Sequence, residues 1–264
     1  MRYYLAVLVL AALWPWTTSA DVPPVKQPAL GTVTLQQAER QTRQAEEEYH
    51  RGLQFAEGNG VPQDYVRAAE FYASAAEKGH VAAQYDLAYL YENGLGVRRD
   101  LSQAAKWYRK AALQGDAEAQ NNLGALYATG RGVPRDDSEA AHWYRLAAEQ
   151  DDPEATSNLG IMFFEGRGVE RDVIQAFELI RKAAERGYPA AQNNLGLMYA
   201  NGQPMERDYI WAYAWLDIAA DQLSGPEVIR DQIASEMTAD DITRARVLSA
   251  MKRQQILHRI NESK

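Results

Sequence analysis

The chain of 264 residues contains no cysteine. Disulfide bonds, thiolate metal ligands and cysteine nucleophiles are therefore excluded, and so is a lipid anchor attached through cysteine. Any reaction or metal site in this protein would have to be built from other side chains.

Histidine is also scarce, and the common catalytic motifs are missing. The four histidines are His50, His80, His142 and His258. No two of them have metal-ligand spacing, so we interpret them as solvated surface side chains. There is no G-x-S-x-G, no P-loop and no dinucleotide fingerprint. We therefore predict no catalytic residue, no metal and no cofactor, and we do not expect an enzyme.

The chain has fewer basic than acidic residues: 28 Lys and Arg against 36 Asp and Glu, which gives a net charge of -8. An acidic chain without a lysine-rich block is a poor nucleic-acid binder, so we expect no nucleic-acid partner.

Long hydrophobic runs are absent after residue 20. Within residues 1–20, Arg2 precedes an apolar run, and small residues follow it up to Ala20. This pattern predicts a secretory signal peptide cut before Asp21, with an uncleaved anchor as the weaker alternative. Loss of the one charge, Arg2, changes the net charge from -8 to -9. We expect a periplasmic or secreted protein with no stable membrane insertion, and a flexible proline-containing linker over residues 21–33.

What the sequence has in abundance is repetition, with a period of 36 residues. The segment Leu123–Asp136 has counterparts at Leu87–Asp100 and Leu159–Asp172, and weaker ones occur one period further in each direction. Such a period indicates stacked supersecondary units. The predicted repeats are 45–80, 81–116, 117–152, 153–188 and 189–222.

Each unit reads as two helices joined by a glycine-rich loop. Gly124 allows close approach of a neighbouring helix, and Gly130 ends the first helix. Asp136 is placed to cap the second helix, and Asp152 with Pro153 to start the next pair. His80 stands where other copies place an N-cap.

Two further helices are predicted over residues 223–264, as a cap on the last repeat. Ser224 with Glu227, and Thr238 with Asp241, have the spacing of capping boxes. The last helix is predicted to run to about Ile260, and its buried face to hold Ile242, Ala245, Leu248 and Met251.

The pattern A-x-x-x-L-G-x-x-Y-x-x-G-x-G-V-x-x-D, followed by A-x-x-W-Y-x-x-A-A, resembles the Sel-one-like repeat family, a relative of the tetratricopeptide repeats. The resemblance implies an all-α, right-handed α-solenoid over residues 34–222 that binds other molecules. It does not imply a reaction. In such stacks the first helix of each repeat lines the concave surface.

A helical wheel of the first helices gives the candidate partner-binding residues opposite the buried stripe. They are Tyr49, Tyr85, Tyr89, Asn121, Ser157, Ile161, Phe164, Asn193 and Leu197. Tyr and Asn offer contact area and hydrogen bonds without buried charge. For the aliphatic and Phe positions, packing between adjacent repeats is an equal alternative.

A second candidate is a row of loop arginines, an anion-binding edge. Its members are Arg99, Arg135, Arg171 and Arg207, with Arg98, Arg131 and Arg167 nearby. The edge fits an acidic protein face or a carboxylate-bearing envelope glycan. The favoured alternative is pairing of each arginine with an adjacent acidic residue.

Together these features predict an exported scaffold that binds a partner protein or peptide in its groove, in bacterial envelope regulation, assembly or host contact. A glycan-binding module using the arginine edge is the alternative. A cell-wall hydrolase is disfavoured, because the carboxylates on the groove face are scattered: Glu46, Glu92, Glu118 and Glu154.

Overall fold

A computed structural model describes residues 35–262; the predicted signal peptide and linker lie outside the described residues. The described chain forms twelve α-helices and no strand. They are α1 (Leu35–Glu57), α2 (Tyr65–Glu77), α3 (Val81–Asn93), α4 (Leu101–Leu113), α5 (Ala117–Thr129), α6 (Asp137–Glu149), α7 (Pro153–Glu165), α8 (Val173–Glu185), α9 (Pro189–Asn201), α10 (Tyr209–Ala219), α11 (Pro226–Ala234) and α12 (Ala239–Glu262). None of these helices is long and apolar enough to cross a membrane.

The second helix of each repeat begins at an aspartate cap, as predicted. Asp136 Oδ1 accepts hydrogen bonds from the amides of Ser138 at 2.9 Å and Glu139 at 3.0 Å. The four equivalent caps are Asp64, Asp100, Asp172 and Asp208. Each satisfies two amides that have no partner inside the helix.

The first helices of repeats two to five end at glycine. Gly130 has a left-handed backbone with a φ of 67°, and its amide donates to carbonyls of the last turn. Asp152 caps α7, and Pro153 opens it. The predictions for Gly130, Asp152 and Pro153 are therefore confirmed.

His80 is not the solvated side chain that we expected. Its Nδ1 accepts from the Ala83 amide at 3.1 Å, and its Nε2 lies 3.1 Å from a carboxylate oxygen of Glu46. The ring stacks on Tyr49 with centroids 4.4 Å apart. The correction has a physical reason: a cap at the start of α3 faces α1, so the preceding repeat covers the side chain.

From α1 to α11, each helix packs against the next, which makes an α-solenoid. In repeats one to four, the second helix lies between the first helix of its own repeat and that of the next. One buried cluster, for example, joins Ala88 and Tyr108 of repeat two to Leu123 and Trp143 of repeat three. The core is therefore continuous across repeat boundaries.

Gly124 marks the close contact inside repeat three. A Cβ atom at this position would lie 2.8 Å from Cδ1 of Tyr144 and 3.3 Å from the Ala140 carbonyl oxygen. Both residues belong to α6, so the predicted approach of the second helix of the same repeat is confirmed.

The C-terminal helices α11 and α12 both pack on α10. Asp217 of α10 joins them: its carboxylate lies 2.9 Å from Arg230 of α11 and 3.0 Å from Arg253 of α12. Ser249 donates to the same carboxylate at 2.9 Å.

Two details of this cap differ from expectation. The predicted box at Ser224 is wrong, because Gly225 is the N-cap of α11 and its amide donates to Glu227 at 2.8 Å. Met251 was expected on the buried face but is 54% exposed. Ser249 and Ile256 are buried instead, since the contacts of Ser249 and Arg253 with Asp217 set the rotation of α12. Thr238 forms half of the predicted box: its hydroxyl accepts from the Asp241 amide at 3.2 Å, but the Asp241 carboxylate accepts from that hydroxyl at 2.8 Å and not from the Thr238 amide.

Candidate partner-binding surface

The first helices α3, α5, α7 and α9 expose one face, which we call the first-helix face. Positions one repeat apart lie at equivalent places on successive helices, so the face consists of columns. The amide column is Asp86, Asn122, Asn158 and Asn194, all half-buried. The next column is Tyr89, Ala125, Ile161 and Leu197. The outermost column is Asn93, Thr129, Glu165 and Asn201, and these four residues are exposed.

Some of the residues predicted to line the groove lie between adjacent repeats instead. Tyr49, Tyr85, Asn121, Ser157 and Asn193 form an inter-repeat column, in which Asn121 is 5% exposed and Ser157 is 1% exposed. The placement of Asn121 and Ser157 on an open surface is therefore wrong. The reason is that the helical wheel of one repeat does not include the next repeat, which covers this column.

Side chains of the inter-repeat column contact the amide column of the following repeat. Asn158 donates to Asn121 at 3.2 Å. Tyr49 interacts with Asp86, and Tyr85 with Asn122. Burial, together with the nearby Asp86 and Glu118 carboxylates respectively, raises the pKa of both tyrosines. Tyr49 and Tyr85 are half-buried, and their contacts hold adjacent repeats together.

Tyr89 lies on the surface, as the wheel predicted. Its side chain is 46% exposed near the end of α3. Asn193 is half-buried at the start of α9.

The remaining predicted residues, Ile161, Phe164 and Leu197, line one cavity of about 380 Å³. We call this cavity, between α7 and α9, the apolar groove. Its other lining residues are Glu165, Ile180, Asn194, Met198, Asn201 and Gln203. Ile161, Phe164 and Leu197 are only half-buried, and Phe164 also packs against core clusters on both sides. Both sequence-based alternatives therefore hold: these side chains pack between repeats and still face solvent.

The amides of the groove have no partner within residues 35–262. The side chains of Asn194, Asn201 and Gln203 form no hydrogen bond there, whereas Asn158 is bonded to Asn121. Ser157 occupies the position that would contact Asn194, and it carries a shorter hydroxyl where Asn121 carries a carboxamide. Sequence reasoning missed these residues, although the asparagines recurring at 122, 158 and 194 were a usable signal.

The arginines of the predicted anion-binding edge form hydrogen bonds and ion pairs with nearby residues of the protein. Arg99 and Arg171 donate to backbone carbonyls of Glu92 at 2.9 Å and Phe164 at 3.0 Å. Arg135 pairs with Asp137 at 2.9 Å, and Arg207 donates to the Tyr209 hydroxyl at 3.1 Å. Of the nearby arginines, Arg131 pairs with Glu92, and Arg167 pairs with Asp137 and Glu165. Pairing with an acidic neighbour thus holds for Arg135, while Arg99 and Arg171 secure helix ends through carbonyls.

Across the described ranges, no three His, Asp or Glu side chains are grouped so that they could hold a metal ion.

Stacked helix pairs with one open, amide-lined face define an α-solenoid of the tetratricopeptide-like kind. The chain belongs to the Sel1 repeat family, whose pattern matches residues 48–80, 81–116, 117–152, 153–188 and 189–222. The last four ranges have the same bounds as the predicted repeats. Sel1 repeat proteins generally mediate protein–protein interactions, and their scaffold is typically non-enzymatic.

Solved structures include similar proteins. A protective antigen of uropathogenic Escherichia coli strains that displays an SLR fold is 34% identical, with a TM-score of 0.77; the match covers 87% of this chain and 50% of that one. This chain therefore spans about half the length of that antigen. A Sel1 repeat protein from Oxalobacter formigenes is 32% identical over 73% of this chain and 75% of its own, with a TM-score of 0.66. PilF of Pseudomonas aeruginosa, at 18% identity and a TM-score of 0.54 over 82% of this chain and 92% of its own, shares the fold. Among curated protein sequences, none matches the chain.

Proposed function

We propose that this protein is an exported scaffold that binds a partner protein or peptide in its apolar groove, in envelope regulation, assembly or host contact. The observation that carries the proposal is the groove itself. Ile161, Phe164 and Leu197 keep part of their apolar surface open to solvent, and unpartnered amides lie beside them.

The chemistry of the groove favours a protein partner. An apolar side chain that enters it loses contact with water, and full burial of a Val, Leu or Phe side chain contributes roughly 1.5–3 kcal/mol. Binding hot spots cluster in such desolvated pockets, surrounded by polar groups that exclude water. The amides of Asn194 and Asn201 lie beside the apolar floor, where polar groups of a partner would meet them.

Export is supported by the signal-like pattern of residues 1–20. Host contact is supported by the similarity to a protective antigen of uropathogenic bacteria. N-terminal sequencing of the protein from envelope or secreted fractions should start at Asp21; a retained Met1 would contradict export by a cleaved signal.

The groove is tested by one substitution with a matched control. The bait is residues 21–264, immobilised and exposed to envelope extract, and captured proteins are identified by mass spectrometry. Ile161→Glu places a charge in the groove and should abolish capture of the partner. Ile174→Glu makes the same chemical change on α8, where the side chain is 68% exposed, and should leave capture intact.

Thermal melting by circular dichroism must first show that both variants are folded. Because Ile161 is half-buried, Leu197→Asn serves as a milder second variant at the facing helix. A partner that is captured equally by wild type and by folded groove variants would remove the groove from consideration.

A further inference from the structure

Charge is distributed unequally between the two sets of helices. The first helices α3, α5, α7 and α9 contain only acidic charges: Asp86, Glu92, Glu118, Glu154 and Glu165. The second helices α2, α4, α6 and α8 carry the exposed lysines and arginines: Arg67, Lys106, Arg109, Lys110, Arg145, Arg181 and Lys182. The first-helix face therefore carries negative charge while the opposite helices carry both signs.

Much of this negative charge is not compensated. Glu92 pairs with Arg131, and Glu165 with Arg167, each at 3.3 Å. Among the described lysines and arginines, none forms an ion pair with Asp86, Glu118 or Glu154. Burial, together with the neighbouring Glu118 and Asp116 carboxylates, raises the pKa of Asp86 to about 6, although Tyr49 and His80 act in the opposite direction. A positive charge brought to this face would relieve that repulsion.

The acidic residues are continuous with the apolar groove. Glu154, Asn158, Ile161 and Glu165 follow one face of α7, because their spacing of four, three and four residues matches the helical turn. Ile161 and Glu165 line the groove, and Glu154 is exposed one turn before Asn158. An occupant whose apolar side chain enters the groove therefore has carboxylates on either side of it.

The unpartnered amides favour an occupant with an extended backbone. An extended segment leaves the N–H and C=O groups of its main chain free, whereas a helix pairs them internally. Asn194, Asn201 and Gln203 each offer a donor and an acceptor at the groove. An extended segment can pair its main chain with these groups, while a helix could meet them only through its side chains.

We propose, on the basis of the scaffold function above, that the groove and the adjoining acidic face bind an extended, positively charged segment that inserts one apolar side chain between α7 and α9. Lysine or arginine side chains next to the apolar residue contact Glu154 and Glu165. Those further along the segment contact Glu118 and Asp86.

Synthetic peptides test this directly by fluorescence anisotropy with residues 21–264. The first probe is a labelled peptide with one central leucine flanked by lysines in a serine background. The second replaces the lysines with glutamates, and the third replaces the leucine with serine. The first probe should bind at least about tenfold more tightly than either of the others. Its affinity should fall as salt rises from about 50 mM to about 500 mM, because surface charges are screened.

A double substitution locates the contact. Glu118→Gln with Glu154→Gln keeps side-chain size and removes two charges, and should weaken the first probe about threefold to tenfold. Glu70→Gln with Glu149→Gln removes two exposed charges from second helices and should not change its affinity. An equal loss in both double variants would show net-charge attraction only, and would overturn the proposal.

The outcomes separate this inference from the scaffold function. Equal or tighter binding of the acidic probe, or of a preformed amphipathic helix, would overturn the cationic, extended occupant. If the natural partner is still lost with Ile161→Glu and kept with Ile174→Glu, the scaffold function stands. Binding of the first probe that survives Ile161→Glu would remove the groove from the inference.

Discussion

At the scale of single residues, Asp86 stands out in the amide column. The three later repeats have asparagine at this position, whereas repeat two has a carboxylate beside Glu118 and Asp116. Burial and these negative neighbours raise the pKa of Asp86 to about 6, although Tyr49 and His80 act in the opposite direction. The folded chain therefore binds this proton more tightly than the unfolded chain, where an aspartate has a pKa of about 4. The charged form of Asp86 costs stability.

We expect Asp86→Asn to stabilise the protein at neutral pH. Because the folded pKa is raised, the stability contributed by the protonated form is complete below about pH 4 and is lost as the pH rises through about 6. The free energy of unfolding should exceed that of wild type by on the order of 1–3 kcal/mol at pH 7, and by little near pH 4. Urea titrations at both pH values measure this. Glu149→Gln, at an exposed site, should show no such pH-dependent difference.

At the scale of the helix pair, the loop between the two helices also fixes the repeat to its neighbour. A Cβ atom on Gly132 would lie 2.2 Å from the backbone oxygen of Leu101, at the start of α4 in the preceding repeat. The equivalent Gly60 of repeat one has a nearly identical φ of 75°, against 74° for Gly132, and nothing lies within 4 Å of its Cβ position. The same loop is therefore an interface in repeat three and an open turn in repeat one.

Comparing substitutions at Gly60 and Gly132 separates the energetic cost of backbone strain from the cost of disturbing the contact between repeats. Gly60→Ala should cost about 1–2 kcal/mol, the penalty of a left-handed backbone for alanine. Gly132→Ala carries the same strain and also forces α4 away from the loop, which should add about 1–3 kcal/mol. Denaturant unfolding compares the two variants. Equal costs would mean that the loop contact with Leu101 does not contribute to stability.

At the scale of the whole molecule, the solenoid is closed at its C-terminal end by α11 and α12. Asp217 holds both helices on α10 through Arg230 and Arg253, and the Asp217 side chain is 18% exposed. Burial alone would raise the pKa of Asp217, but the hydrogen bond from Ser249 and the two arginines lower it. The contribution of the ionised form is therefore present at neutral pH and is lost as the pH falls through the lowered pKa.

Asp217→Ala should loosen the cap and leave the distant repeats unchanged. Two partly buried arginines lose their shared partner, which should cost about 1–3 kcal/mol in the C-terminal part. Hydrogen exchange should rise in α10 to α12 and stay constant in α3 to α6, since a repeat contacts only its neighbours. Asp231→Ala removes only a more exposed partner of Arg230 and is the control. Faster exchange along the entire chain would contradict this localisation.

The local order of the fold was predictable from the sequence, since its signals lie within a few residues of the structure that they set. Asp136 caps the helix that starts beside it, Gly130 ends the helix before it, and the 36-residue period counts the repeats. The partner surface was predictable only in part. Whether Asn121 faces water or contacts Asn158 depends on a helix one repeat away. A helical wheel drawn for one helix gives no information about that neighbouring helix. The groove of Ile161, Phe164 and Leu197 likewise exists only where α7 and α9 meet. The sequence by itself determined the helices of the repeats, their ends and their number per repeat, and the tertiary structure alone decided which columns stay open, because burial is a property of neighbouring repeats.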